Sequence, residues 1–375
     1  MVKRLGCWLL LALCVPGSLA AQSREEAAEG LIKAYLRDQS VPGVAIAVSE
    51  NGEIVYSAAF GYSDLEMSVP VTSSTVFKTA SVLKPMTATA VMILALDDAL
   101  DLDEPIQTYC PAYAEKRWPV TPRALIAHAA GVRPSVFADI FNREHYASVA
   151  EALARFVDDS LVAQPGTRIE YSNAGYTLLA CAIEGASGVS YDAYMRDHVF
   201  GPAGMTLTRR DNPFEVIPER ARGYMVRTEQ NTEQWQGLWQ PRHLSETVIG
   251  VPFNADPVDP TWAPGAGGYL TTPVDLVHFA SALMNGQLVS ADYAASIAEP
   301  YRLSNGESVP RSLGWILGDF DGHTVFFNMG SDWNGSSALW VLPADAFAIA
   351  VSTNKGFEQP SELIEALATI WRGTP

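Results

Sequence analysis

The stretch SVLKPMTATAVMILAL, residues 81–96, is an apolar run of helical length with a proline as its fifth residue. In a helix interior Pro85 would remove a hydrogen bond and clash with the preceding turn. In a first turn it costs little, because those N–H groups have no intrahelical partner. The proline therefore predicts a helix that begins at about Ser81 and continues toward Ala99. Ser81 and Lys84, three residues apart, then share one face at the positive end of the helix dipole. That position and burial both disfavour an ammonium. For Lys84 to act as a base near neutral pH its pKa must fall about three units from roughly 10.4, about 4 kcal/mol of differential stabilisation. A neutral lysine beside a serine hydroxyl can take its proton and create a nucleophile. The same spacing recurs at Ser352–Lys355, where an Asn-Lys-Gly turn ends a strand-like run. That copy reads as structural.

Outward from the helix, both ends of the chain read as strands. GVAIAVSENGEIVYSAAFGY, residues 43–62, centres on Asn51-Gly52, and SLGWILGDFDGHTVFFNMG, residues 312–330, centres on Asp321-Gly322. Both dipeptides are strong hairpin signals. SSALWVLPADAFAIAVSTN, residues 336–354, predicts two more strands turned near Pro343–Asp345. Helical patterns occupy Arg24–Gln39, Val149–Ser160, Ser172–Ser187, Tyr191–Phe200, Thr272–Asn285 and Pro360–Trp371, while 205–265 is irregular and carries Trp235, Trp239 and Trp262. The expected architecture is a two-lobed α/β (α+β) domain. An antiparallel sheet lobe of about 22–80 and 310–375 is flanked by helices, and an inserted helical lobe spans about 81–309. A cleft between the lobes is the expected site for a small molecule.

The N-terminus has Lys3 and Arg4 before the apolar run Trp8–Val15, then Ser18-Leu19-Ala20-Ala21. This pattern predicts a signal peptide over 1–21 and a secreted or periplasmic protein, with no membrane anchor after cleavage. Leu13 before Cys14 argues against a lipoprotein. Loss of Lys3 and Arg4 takes the net charge from −17 to −19. Such a surface repels phosphate backbones and anionic headgroups, which argues against nucleic-acid and membrane partners and leaves a small-molecule substrate. Cys110 and Cys181 then remain, and either a bridge or two buried thiols fits them.

The segment from Phe77 resembles the serine β-lactamase and penicillin-binding-protein family, in particular its class C-like branch of β-lactamases, D,D-peptidases, D-amino-acid peptidases and esterases. FKTASVLKPMTATAVMILALDDALDLDEPI, residues 77–106, is similar to that family's nucleophile helix, and TPRALIAHAAGV, residues 121–132, to the stretch that carries His128. PGTRIEYSNAGYTLLACAIEGASG, residues 165–188, carries a Tyr-x-Asn at Tyr171–Asn173, and PGAGGYLTTPVDLVHFASALMNG, residues 264–286, is similar to the family's glycine-rich turn and next helix. The resemblance implies Ser81 as nucleophile, Lys84 as base and Tyr171 as proton shuttle. It implies Asn173, Gly330 and Ser331 as substrate or oxyanion contacts, with His128 structural.

The third motif departs from the family's pattern. Where it carries Lys or His, then Thr or Ser, then Gly, FFNMGSDWNGSS, residues 326–337, offers Asn328-Met329-Gly330. Asn328 is expected at the substrate. The lost charge and hydroxyl shift the expectation from β-lactams and peptidoglycan peptides toward a small ester or neutral amide. Met329, Trp333 and the tryptophans of 205–265 suggest an apolar acyl or leaving group. A catalytically impaired ligand-binding homologue is the rival reading. No Gly-x-Ser-x-Gly is present, and the six histidines are scattered without His-Glu-x-x-His, so no metal or other cofactor is expected.

Overall fold

A computed structural model describes residues 17–229, 231–232 and 246–372, with side chains in the first helix described from Arg24 onward. The expected signal peptide lies largely outside these residues, as do Trp235 and Trp239. The first helix, Gly17–Asp38, starts upstream of the expected Arg24.

Eight antiparallel strands form one sheet, in the spatial order Arg311–Ser312, Trp315–Phe320, His323–Ser331, Ser336–Leu342, Phe347–Thr353, Gly43–Glu50, Glu53–Asp64 and Val69–Pro70. The two chain ends meet in its middle, where Val44 pairs with Thr353 and Glu50 with Phe347. Both expected hairpin turns form. Asn51 and Gly52 have φ of 53° and 83°, and Asp321 and Gly322 have φ of 55° and 79°. Those left-handed conformations match the twist of the flanking strands.

Side-chain alternation gives the sheet two buried faces. Ile46, Val48, Ile349 and Val351 pack on the terminal helices Gly17–Asp38 and Ser361–Arg372 through Ile32, Ile364 and Leu367. Ala47, Leu339, Ala348 and Ala350 face a larger core shared with the helices Leu83–Leu96, Asn173–Ser187 and Pro273–Met284. The helix expected over Val149–Ser160 closes early, as Val149–Leu153. The one expected over Tyr191–Phe200 changes to a wider π-type turn after Met195. Among the described residues no helix is long and apolar enough to cross a membrane.

The two cysteines left open by the sequence are bonded. Cys110 and Cys181 are 71 residues apart and join the loop after Ile106–Thr108 to the helix Asn173–Ser187. Closing a loop of that length removes unfolded-state entropy. Cys181→Ala, paired with Cys110→Ala, is expected to cost about 2–4 kcal/mol. Denaturant unfolding checks this, with a lower midpoint and a slope no smaller than that of the bridged protein, because the freed unfolded chain exposes more surface.

Candidate active site

The helix start that carries Ser81 is presented from a short strand. Phe77–Lys78 pairs with Tyr269–Thr271, and Thr79 N–H donates to the Tyr269 carbonyl at 2.9 Å. The chain then reverses through Ala80, a non-glycine residue at φ 43°. A left-handed conformation there costs of order 1–3 kcal/mol and is held by its surroundings. Ser81 lies in the 3₁₀ turn Ala80–Val82, and the α-helix proper runs from Leu83 to Leu96. The start is thus two residues later than expected, and Pro85 falls in its first turn, where its missing N–H costs little.

Ser81 Oγ sits between two titratable groups. Lys84 Nζ donates to it at 2.9 Å, and its distance to the Tyr171 hydroxyl is 2.6 Å. Lys84 Nζ also donates to Asn173 Oδ1 at 2.9 Å and to the Ala266 carbonyl at 3.0 Å. Its side chain is 1 % exposed. Among the described residues no carboxylate touches this amine, and burial holds its pKa below the ordinary lysine range, with Arg311 adding to the fall and Tyr171 opposing it. Burial alone would raise the Tyr171 phenol. The Lys84 charge, hydrogen bonds from Lys84 and Ser81, and the charge of Arg311 outweigh it, and the net direction is down. The two groups share the proton: a neutral Lys84 removes the charge that depresses Tyr171. Burial, the largest cause at Lys84, acts irrespective of the partner.

A second layer fixes these partners. Ser172 caps the helix Asn173–Ser187 by accepting from Gly175 N–H at 3.0 Å, and its hydroxyl donates to the Arg133 carbonyl at 2.6 Å. Asn173 N–H donates to Ser135 Oγ at 2.7 Å. His128 accepts from Ser172 N–H on Nδ1 at 3.1 Å, and its ring lies 4.5 Å from that of Tyr171. Burial, then the charges of Lys84 and Arg311, push the His128 pKa well below its ordinary value. His128 is therefore a neutral support behind Tyr171, in line with its structural reading.

The strand His323–Ser331 closes the site. It pairs with Trp315–Phe320 only as far as Phe327, so its end runs past that neighbour beside Ser81. A methyl group on Gly330 would lie 2.2 Å from Ser81 N, so only glycine permits this approach. Ser331 lines a cavity together with Ser81, Asn173, Asp332, Val258 and Trp262. Burial raises the pKa of Asp332, and the nearby Lys78 charge partly offsets this.

Three expectations on this strand and the turn after it need correction. Asn328 is 5 % exposed, and its amide donates to the Gly314 carbonyl at 2.9 Å. It holds a neighbouring turn and is not among the cavity-lining residues. Met329 faces the opposite side of the sheet, where Ser361 Oγ lies 2.9 Å from its sulfur. Trp333 is fully buried against Met225 and beside Phe141 and Phe357. Of the aromatic residues proposed to shape the substrate, Trp262 does reach the cavity. The second Ser-x-x-Lys is structural: Lys355 Nζ donates to the Gln39 carbonyl and pairs with Glu358. Sequence reading missed Arg311, whose guanidinium carbon lies 5.9 Å from the Tyr171 ring centre. No spacing signal connects the two.

A buried lysine, a tyrosine and an asparagine converge on a helix-start serine, an arrangement that is chemically able to support acyl transfer. The sequence matches the Beta-lactamase family over residues 28–369, and the chain belongs to that family of serine hydrolases. It is 28% identical over 309 residues to Penicillin-binding protein 4* of Bacillus subtilis, a match covering 80% of this chain and 65% of that one. The chain thus spans just under two thirds of that relative's length. The structure of the octameric penicillin-binding protein homologue from Pyrococcus abyssi is similar at a TM-score of 0.78 and 25% identity, covering 93% of this chain and 78% of the other. D-amino acid amidase from Ochrobactrum anthropi shares the fold at a TM-score of 0.77 and 23% identity, over 93% and 99% of the two chains.

Gly330→Ala tests the closeness of strand and nucleophile. The extra methyl is expected to lower kcat/KM by about 10²-fold or more through displacement of Ser81, with the far-ultraviolet circular dichroism of the wild type retained. Steady-state kinetics beside a spectrum checks both.

Proposed function

We propose that the protein hydrolyses a small ester or amide through a covalent acyl-Ser81 intermediate. The observation that carries this reading is the position of Ser81 Oγ, at 2.9 Å from Lys84 Nζ and 2.6 Å from the Tyr171 hydroxyl. Lys84 as neutral amine accepts the Ser81 proton, directly or through Tyr171, as Oγ attacks the carbonyl carbon. The oxyanion is stabilised by the N–H groups of Ser81 and Ser331. Asn173 orients Lys84 and offers its amide N–H₂ to the acyl group. Tyr171 returns the proton to the departing oxygen or nitrogen. Water then attacks the acyl-enzyme, giving up its proton along the same path, and Ser81 is regenerated.

A small ester or amide is favoured over a β-lactam or peptidoglycan peptide because Asn328 brings neither charge nor a free amide to the cleft. Export is part of the same proposal. It rests on the basic, apolar and small-residue pattern of 1–21 and is in keeping with the Cys110–Cys181 bond, since such bonds persist in oxidising compartments.

Wild-type protein mixed with a short-chain p-nitrophenyl ester is expected to gain the acyl mass on Ser81 in quenched peptide mass spectrometry. Ser81→Ala is expected to lose about 10³-fold or more in kcat/KM. Equal rates for the two proteins, or an unmodified Ser81 after both the ester and a fluorophosphonate, would overturn the proposal. The pH profile follows from the lowered Lys84 pKa. The base must be uncharged, so kcat/KM rises with pH as Lys84 loses its proton and levels off above that pKa. The rise is expected to be centred below the ordinary lysine value of roughly 10.4, and in Lys84→Met to vanish with a rate loss of about 10²–10⁴-fold.

A further inference from the structure

Lys78 and Lys84 stand three residues to either side of Ser81, and both are largely withdrawn from solvent. Their partners differ. Lys78 Nζ donates to the Asp211 carboxylate, with Asp332 close by. Burial would lower its pKa, but the charges of Asp211 and Asp332 outweigh it and the net direction is up. Lys84 is buried more deeply, has no carboxylate partner among the described residues, and moves the other way. In place of a counter-ion it has aromatic rings. Its Nζ lies over the Tyr171 ring at 4.8 Å from the centroid and over the Tyr176 ring at 5.4 Å. Both distances are within the roughly 6 Å at which a ring face attracts an ammonium. Among the described residues, Lys33 and Lys116 also lie over rings, but over one ring each and with more exposure.

Tyr176 is held firmly in this position. It follows Asn173 by three residues on the helix Asn173–Ser187, so the two share a face. Asn173 Oδ1 accepts from the same amine at 2.9 Å. The Tyr176 side chain is fully buried, and its hydroxyl donates to the Ile126 carbonyl at 3.0 Å. The His128 ring packs on both tyrosines, 4.5 Å from Tyr171 and 5.1 Å from Tyr176. Burial holds the Tyr176 phenol above its ordinary range, so it stays neutral and has only its ring to offer the amine. The titratable and charged groups around Lys84 are therefore Tyr171, Tyr176, His128 and Arg311, none of them a carboxylate. Asp332 lines the cavity with Ser81, where Lys78 offsets its charge.

We propose that Tyr176 is a positioning residue whose ring takes the place of a carboxylate at Lys84, stabilising the ammonium that forms when the amine accepts the Ser81 proton. The inference rests on the acyl-Ser81 reading. In that step the Ser81 O–H bond breaks as Oγ bonds to the carbonyl carbon, and the proton stays on Nζ until Tyr171 passes it to the departing atom. A carboxylate in the same place would hold the amine charged at rest, as Asp211 holds Lys78, and no base would be left. A ring attracts the cation more weakly, so burial still wins in the resting protein while the ammonium remains attainable during the reaction.

The test changes the charge on the ring face and keeps its shape. Tyr176→Phe retains a ring, drops the bond to the Ile126 carbonyl and serves as the reference. Site-specific incorporation of 3,5-difluorophenylalanine and of pentafluorophenylalanine at position 176 then withdraws electron density from the ring with little change in volume. In protein carbon-13-labelled on lysine, with the Lys84 signal assigned by its loss in Lys84→Met, the titration midpoint is expected to fall stepwise with fluorination, by about one pH unit in all. The rising limb of kcat/KM for p-nitrophenyl acetate is expected to move with it. A midpoint that is the same in the three proteins, or that rises with fluorination, overturns the proposal; a ring that only fills space would give the first. Turnover that depends on Ser81 while the midpoint stays constant removes Tyr176 and leaves the hydrolase reading standing. A stepwise midpoint in a protein that turns over no ester and leaves Ser81 unmodified supports the effect of the ring on Lys84 and puts the hydrolase reading in question.

Discussion

The site depends on one buried amine. Lys84 has three hydrogen-bond acceptors, Ser81 Oγ, Asn173 Oδ1 and the Ala266 carbonyl, none of which carries a formal negative charge. An ammonium in that setting keeps its hydrogen bonds but loses its hydration without gaining a counter-ion. Burial therefore lowers the pKa of this amine, which lies beside the serine one turn earlier. Pro85, Ala80 and the glycine-rich turn around Ala266 matter because each holds the chain where this amine stays dry and in reach.

The sheet supplies rigidity from the far side. Its middle strands are sealed by a face of terminal helices and a face of the helical lobe. The strand His323–Ser331 is consequently fixed in position where it passes Ser81. Gly330 transmits that rigidity by bringing backbone against backbone. A chain assembled from its two ends around a helical insertion therefore produces a cleft whose walls come from distant parts of the sequence, with Ser81 at their junction.

Much of this was legible beforehand, for identifiable reasons. Ser81 and Lys84 are adjacent on a helix, so spacing reports their contact, and Pro85 marks the helix start. The two Gly-containing hairpins announce themselves because the turn requires φ above zero. Tyr171 and Asn173 flank the Ser172 cap of a helix, a local signal that became informative beside the family resemblance. Asn328 was misread because its place in the third motif suggests the cleft, while the buried carbonyl of Gly314 captures its amide. Met329 was misread because strand alternation sends it to the face opposite Asn328 and Gly330, and Trp333 because the turn after the strand buries it in a separate cluster with Met225. Arg311 left no trace, since its relation to Tyr171 is tertiary and crosses 140 positions. The pairing of Cys110 with Cys181 was open for the same reason.

The central claim is a statement about the charge of one side chain, so it is best tested on that side chain. Carbon-13 labelling of lysine, with Lys84→Met to assign the signal, allows the ε-carbon shift of Lys84 to be followed through a pH titration of the resting protein. The account predicts a midpoint well below the roughly 10.4 of a free lysine and coincident with the rising limb of kcat/KM. A midpoint at the ordinary value, with activity already at its plateau below it, would contradict it.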